Sequence, residues 1–271
     1  MRTLRQTGRV AAVRKSSLHH QVAQDIGARI LRGEFAPGDL LPNEAESCKA
    51  YGVSRTAVRE AMKMLTAKGL IVSRPKIGSR VQPRDSWNLL DRDVLAWYCA
   101  AADRTHFLAS MHEVREILEP EAAALAARHH TAAQLKPIEH ALTVMRDAPD
   151  LAAWNVADVQ FHLGILWAAG NELLVPFGFL IESALGTMFD FTGRHNQDYR
   201  EAYPLHEAIL QAIRKRRPDA ARKAARRLLG DTGRLLQQLA RERSRTQRQS
   251  KTKNAGSGPA RSSINARRYN G

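Results

Sequence analysis

The stretch GVSRTAVREAMKMLTAKGLIVSRPKIGSRV, residues 52 to 81, decides how the N-terminal part of the chain folds. Gly52, Val53 and Ser54 make a tight break, and the Ser54 hydroxyl suits a helix start because it accepts from the first amides that lack an intrahelical partner. In the helix that follows, Val58, Met62 and Leu65 fall on one face at helical spacing, so that face is the inner one. Gly69 ends it. From Leu70 to Val81, β-branched residues alternate with turn formers around Lys76, Ile77 and Gly78, which is the pattern of a hairpin.

Upstream, Leu18, Val22, Ile26 and Ile30 recur every four residues as one apolar stripe, stopped by Gly33. Pro37, Gly38 and Asp39 turn into a short extended Leu40, Leu41 and Pro42. Asn43 then caps a second helix to about Tyr51, with Glu44 and Glu46 at its positive end. Three helices and a hairpin over 17–82 make a winged helix-turn-helix. In that unit only the first turns of the third helix reach base edges, and an arginine fork can donate two bonds to guanine. Ser54, Arg55, Thr56 and Arg59 are therefore the expected base-proximal set, with Lys63 one turn further along and suited to a phosphate. In the wing, Arg74, Lys76 and Arg80 surround Gly78, whose missing side chain lets backbone come close to DNA. The competing reading is a solvated basic helix beside an exposed hairpin.

Lys and Arg outnumber Asp and Glu by 42 to 27 in 271 residues, a formal charge of +15. An excess of that size favours polyanions through local field and counterion release. Arg2, Arg5, Arg9, Arg14 and Lys15 crowd residues 1–16, which read as a disordered basic arm. Residues 241–271 are rich in Arg, Ser, Gln and Lys without an apolar period and read as a disordered basic tail. No apolar run has the length of a membrane helix, and the basic start leads into Ser17, Leu18, His19 and His20 instead of a signal-peptide core, so a cytoplasmic protein without a membrane partner is expected. Cys48 and Cys99 are too few for a disulfide framework and are assigned no chemistry.

Residues 83–86 form a linker. From 87 to 240 the chain is dense in Ala, Leu and Glu and predicts helices near 87–101, 105–130, 132–147, 150–169, 171–192, 199–216 and 218–240, with Pro120 kinking or splitting the second. The fold class is mainly α, a winged head followed by an all-helical bundle. Within the bundle, Asp158 and His162 share a helix face four residues apart, a spacing that can supply two positions on a divalent metal. His162 is flanked by Phe161, Leu163 and Ile165, and a hydrogen-bonded core histidine satisfies the same pattern. A metal-dependent enzyme and a basic nucleic-acid binder without ligand control are the alternatives. Against the enzyme, the chain lacks His-Glu-x-x-His, the Glu-x-x-His of di-iron bundles, a phosphate loop and GxGxxG.

Leu41 to Glu44, Gly52 to Thr56, Val58 to Ala61 and Lys68 to Ile71 resemble the signature of the GntR family of bacterial repressors, across about residues 17 to 82. The family has a DNA-contacting arginine where this chain has Ala45, whereas Arg55 and Arg59 match. Trp87 to Leu90, Glu113 to Arg115, Leu118 to Pro120 and Ala169 to Asn171 resemble the helical ligand-binding domain of its FadR-type branch, the FCD domain. The resemblance implies metal ligation by Asp158, His162 and His206, with Leu228 where the family carries a third histidine. Three ligands suffice for Zn²⁺ or a similar ion when effector or water completes the shell; otherwise the histidines meet the effector directly. Arg115 matches a carboxylate anchor, its plain alternative being an ion pair to Glu116 or Glu119. The implied effector set is Arg115, Asp158, His162 and His206. His112, His129, His130, His140 and His195 are read as surface or loop residues. Trp87, Asn88, Leu90, Asp91, Asp93 to Leu95 and Trp97 are similar to a sugar-acid-responsive branch, which implies an aldonic acid as effector. The same resemblance implies a homodimer on an inverted-repeat operator in double-stranded DNA.

Overall fold

A computed structural model describes residues 17–101, 104–192 and 199–255. The head begins with α1 (Leu18–Leu31), whose Val22, Ala23, Ile26, Ile30 and Leu31 are buried while Leu18, the first member of the stripe, is exposed. Asn43 and Glu46 form a reciprocal capping box at the start of α2 (Glu44–Tyr51), each side chain accepting from the other residue's amide. Ser54 caps α3 (Arg55–Ala67), accepting from the Ala57 amide at 3.3 Å. Strands β1 (Ile71–Arg74) and β2 (Gly78–Val81) pair antiparallel with Ile71 opposite Val81. Leu40 adds a bridge to Arg80 and joins the extended segment before α2 to the wing.

The bundle comprises α4 (Arg92–Ala101), α5 (Arg104–His129), α6 (Ala132–Asp147), α7 (Leu151–Ala168), α8 (Gly178–Thr192), α9 (Tyr203–Arg214) and α10 (Pro218–Ala255). Two expected helices begin as short 3₁₀ segments, Glu172–Phe177 before α8 and Tyr199–Ala202 before α9. Pro120 does not split α5, which runs unbroken through it. Helix α10 continues to Ala255 where a disordered tail from 241 was expected. Between Gly233 and Gly256 the sequence holds neither glycine nor proline and is rich in Arg, Gln, Leu and Lys, all good helix formers. A helix already nucleated by packing can propagate along such a run.

Helices α5 and α10 lie antiparallel, since Arg222 pairs with Glu121 at 2.7 Å near one end and Gly233 abuts His112 further along. The main core gathers Ala122, Ala126, Ile138, Met145, Phe161, Ile181, Leu185 and Ile213 from α5 to α9. Helix α7 is apolar on nearly every side and sits inside this core.

The expected division between linker and sensor at 86/87 differs from the packing. Trp87, Val94 and Trp97 bury into the head's core with Val22, Ile26 and Leu70. The α1 backbone leaves a notch at Gly27, where an added Cβ would lie 2.5 Å from the Trp97 ring. Gly69 has φ +72, and a Cβ there would meet the Ser86 carbonyl oxygen. Lys68 then reaches from the end of α3 to Asp91 at 2.6 Å and Asp93 at 2.8 Å. Head and bundle are thereby joined along a packed seam.

Candidate nucleic-acid interface and buried sensor site

Ser54, Arg55, Thr56 and Arg59 stand exposed along the first turns of α3, and Lys63 is exposed one turn on. Arg59 donates through Nε to Glu44 at 2.8 Å, and Lys63 donates to Glu60 at 2.8 Å. Both pairs are open to water, where such contacts contribute little and exchange readily for a phosphate. The Ser54 hydroxyl is engaged as the cap, which makes it first a residue that positions the helix. In the wing, Arg74, Lys76, Gly78 and Arg80 are all exposed, and Arg80 donates to the Gly38 carbonyl. Gly78 adopts φ +104, a backbone conformation natural to glycine, and Lys76 takes φ 63 in the same turn.

The second site lies inside the bundle. Asp150 caps α7 by accepting from the Ala153 amide at 2.8 Å, which sets the register that turns Asp158 and His162 inward. Arg115 and Glu119 come from α5 and His206 from α9; all five side chains are buried. Arg115 donates through Nε to Glu119 Oε1 at 2.6 Å. The other Glu119 oxygen, Oε2, lies 2.7 Å from His162 Nδ1. His162 Nε2 is 3.7 Å from Asp158 Oδ1, and His206 Nε2 is 2.8 Å from the same oxygen. That last contact lacks hydrogen-bond geometry, so His206 Nε2 is buried without a hydrogen-bond partner. His206 Nδ1 is 2.8 Å from the Ala202 carbonyl oxygen, which can only accept. Phe161 packs T-shaped against both imidazoles, with ring centroids 5.7 and 5.1 Å away.

The electrostatics follow from this count of charges. With neutral histidines, one guanidinium faces two carboxylates, Glu119 and Asp158, and leaves a buried negative charge that needs a cation or a protonated imidazole. Burial opposes charge on His162, but the facing Glu119 and Asp158 outweigh it and raise its pKa to about 9. Burial likewise opposes ionisation of Glu119, and Arg115 with His162 overcomes it, bringing the carboxyl to about 2. Asp158 is held well below the ordinary carboxylate range against the same desolvation, by His162 and His206.

Ligand atoms of Asp158, His162 and His206 all lie within 4.8 Å of one another. The chemistry of this donor set fits a divalent cation. Each Nδ1 already faces an acceptor, so each imidazole, once neutral, keeps the Nε2 lone pair free for an ion held between it and the Asp158 carboxylate. Leu228, on α10, lines a small cavity with Glu119, His162, Ile165 and Ile209. That cavity leaves about 10 Å³ for the centre of a water molecule, room for one water at most.

The structure brings together all four expected sensor residues and adds Glu119, which sequence reasoning considered only as an ion-pair partner. Its signal was the four-residue spacing from Arg115; its approach to His162 depends on how α5 packs against α7. Of the other histidines, His130 lies in the loop after α5 but is buried there, not on the surface, its Nδ1 2.8 Å from the Ala126 carbonyl oxygen. His112 is half-buried, held under α10 by the absence of a side chain at Gly233. His129 and His140 are exposed, and His195 lies outside the described residues. Cys48 and Cys99 are free thiols, and burial pushes the Cys99 thiol up to about 11, away from reactivity.

An exposed basic recognition helix and wing, joined to a helical bundle with a buried polar centre, define a ligand-responsive DNA-binding regulator. The family described as bacterial regulatory proteins, gntR family, matches residues 18–81, and the FCD domain matches residues 110–231. The chain is 36% identical over 218 residues to an uncharacterised HTH-type transcriptional regulator, YieP, of Escherichia coli, spanning 79% of this chain and 94% of that protein. It is 34% identical over 216 residues to the galactonate operon transcriptional repressor of Escherichia coli, again spanning 79% and 94%. A solved structure of Lar, which controls expression of the Listeria monocytogenes agr system, shares the fold with a TM-score of 0.53 at 18% identity, covering 83% of this chain and 98% of that one. This chain belongs to the GntR family of transcription regulators, with an FCD domain as its second unit. Regulators of this family bind operator DNA and small-molecule effectors, typically as dimers, and are not enzymes. No described helix is long and apolar enough to cross a membrane.

Proposed function

We propose that this regulator is a repressor whose operator affinity is set by a small carboxylate bound at the Arg115, Asp158, His162 and His206 centre, with an aldonic acid as the leading effector. The observation that carries this reading is the convergence of two imidazole Nε2 atoms on one buried carboxylate oxygen, next to a buried guanidinium. Asp158, His162 and His206 would hold the metal, and a bound divalent ion would supply a Lewis-acidic position for an anionic oxygen. Arg115 would orient the effector carboxylate with the guanidinium N–H groups that Glu119 does not take. The similarity to a galactonate operon repressor favours a sugar acid.

The cavity beside the site admits about one water, whereas pockets for small organic ligands span about 300 Å³ or more. Effector entry therefore requires α7, α9 and α10 to separate, and the ligand acts by favouring that arrangement over the closed one. In the head, Ser54 sets the start of α3, Arg55, Thr56 and Arg59 read bases, and Lys63, Arg74, Lys76, Gly78 and Arg80 meet the backbone. Two heads of a homodimer then occupy the half-sites of an inverted repeat.

Operator affinity measured across a panel of aldonates, with and without added Zn²⁺, tests the reading. A drop of tenfold or more with one of them is the expected result. Unchanged affinity across the whole panel rejects sugar acids as the effector class.

A further inference from the structure

Glu119 has no place in the ligand set, yet it touches both of its chemically distinct halves. One carboxylate oxygen accepts from Arg115 Nε at 2.6 Å and the other faces His162 Nδ1 at 2.7 Å. An ionised carboxylate can only accept, so the proton of a neutral His162 must sit on Nδ1 and the lone pair on Nε2. His206 reaches the same state by another route, since its Nδ1 faces the backbone carbonyl of Ala202 at 2.8 Å. In their neutral forms both imidazoles thus turn a lone pair toward Asp158, one fixed by a side chain and the other by main chain. Glu119 is 6% exposed, so bulk solvent does not compete for either of its contacts.

We propose that Glu119 is a positioning residue that fixes the tautomer and orientation of His162 for metal ligation, and that it ties this ligand mechanically to the Arg115 guanidinium. The assignment rests on the metal reading of Asp158, His162 and His206. Outer carboxylates that hold a ligating histidine commonly change metal affinity by about 10- to 100-fold when removed. The same carboxylate links the two functions of the site: a shift of Arg115 toward an incoming anion pulls on Glu119, and through it on His162.

Glu119→Gln isolates the effect at constant shape. A single amide oxygen is claimed by Arg115, which leaves the amide NH₂ facing His162 Nδ1. That contact favours the opposite tautomer and places the proton on the ligating nitrogen. The experiment titrates full-length wild type, Glu119→Gln and His162→Ala with Zn²⁺ against a chromophoric chelator, and with Co²⁺ while recording visible absorption. The expected result is a 10- to 100-fold weaker Zn²⁺ affinity for Glu119→Gln and an altered Co²⁺ spectrum, with far-UV circular dichroism unchanged. If Glu119→Gln does not fold, Glu119→Asp keeps the charge for Arg115 but falls one methylene short of His162, and the same loss is expected. Wild-type affinity and spectrum in whichever variant folds would overturn the Glu119 assignment while leaving the metal reading standing. Wild type that takes up metal no better than His162→Ala would overturn the metal reading, and the assignment with it.

Discussion

Arg55 and Arg115 carry the same guanidinium, but their surroundings are opposites. Arg55 stands in water at the start of α3, whereas Arg115 is 4% exposed and bonded to a carboxylate that is itself bonded to an imidazole. A cation in water costs the fold little to keep and is free to displace counterions from a phosphate chain. A buried cation must be matched group by group, and each partner becomes dependent on the rest. On the proposed reading, the head works through charges the fold can spare and the bundle through charges the fold cannot lose.

Four substitutions put that contrast under strain. The largest effect belongs to Asp158→Ala, which leaves both imidazoles facing an empty position in the core. In metal-free protein, denaturant unfolding should show a loss of about 3 to 5 kcal/mol; a loss under 1 kcal/mol would mean that the buried centre is not the interdependent unit described. Arg55→Ala and Arg59→Ala should leave the unfolding midpoint almost unmoved while weakening operator binding by roughly 10- to 100-fold. Normal footprints for both variants would remove α3 as the reading helix.

The smallest effect lies at the seam, where Lys68 is buried, its carboxylate partners are half-buried and the contrast is intermediate. Burial opposes charge at both Asp91 and Lys68, but their mutual contact prevails, lowering the carboxyl from its ordinary 3.8 and raising the ammonium from its ordinary 10.5. The pair stabilises fully above the ordinary carboxylate value and below the ordinary ammonium value. Its contribution fades as acid protonates Asp91 and as alkali deprotonates Lys68. Asp91→Asn should thus cost about 1 kcal/mol at neutral pH, with the difference from wild type vanishing at low pH. Asp91 Oδ1 also accepts from the Asp93 and Val94 amides at the start of α4, at 3.0 and 3.1 Å, and a difference that persists in strong acid would assign the effect to that cap instead of the ion pair.

Local chemistry made most of the architecture readable. Asn43, Ser54 and the helical spacing of Val58, Met62 and Leu65 mark the head because caps and stripes are decided within a few residues. The proposed sensor residues Asp158 and His162 were visible as a pair for the same reason. What the sequence could not reveal were contacts between distant segments. Trp87 and Trp97 look like the opening of a helical domain, and only packing shows that they close the core of the preceding one. Glu119 is recognisable as a partner for Arg115 on the same helix turn, but His162 arrives from 43 positions later in the chain, as 162 minus 119 shows. The run after residue 240 was read as unstructured because it lacks an apolar period, yet α10 carries its helical geometry into that run from the packed part upstream.

The Trp97 ring seated at Gly27 gives the proposed effector response a rigid route from the bundle to the head. An indole filling a glycine notch leaves no play, so α4 cannot slide along α1 without breaking that fit. In the proposed dimer, a displacement of α4 would be passed on whole to the winged unit, and the distance between the two recognition helices would be the quantity that a bound effector adjusts.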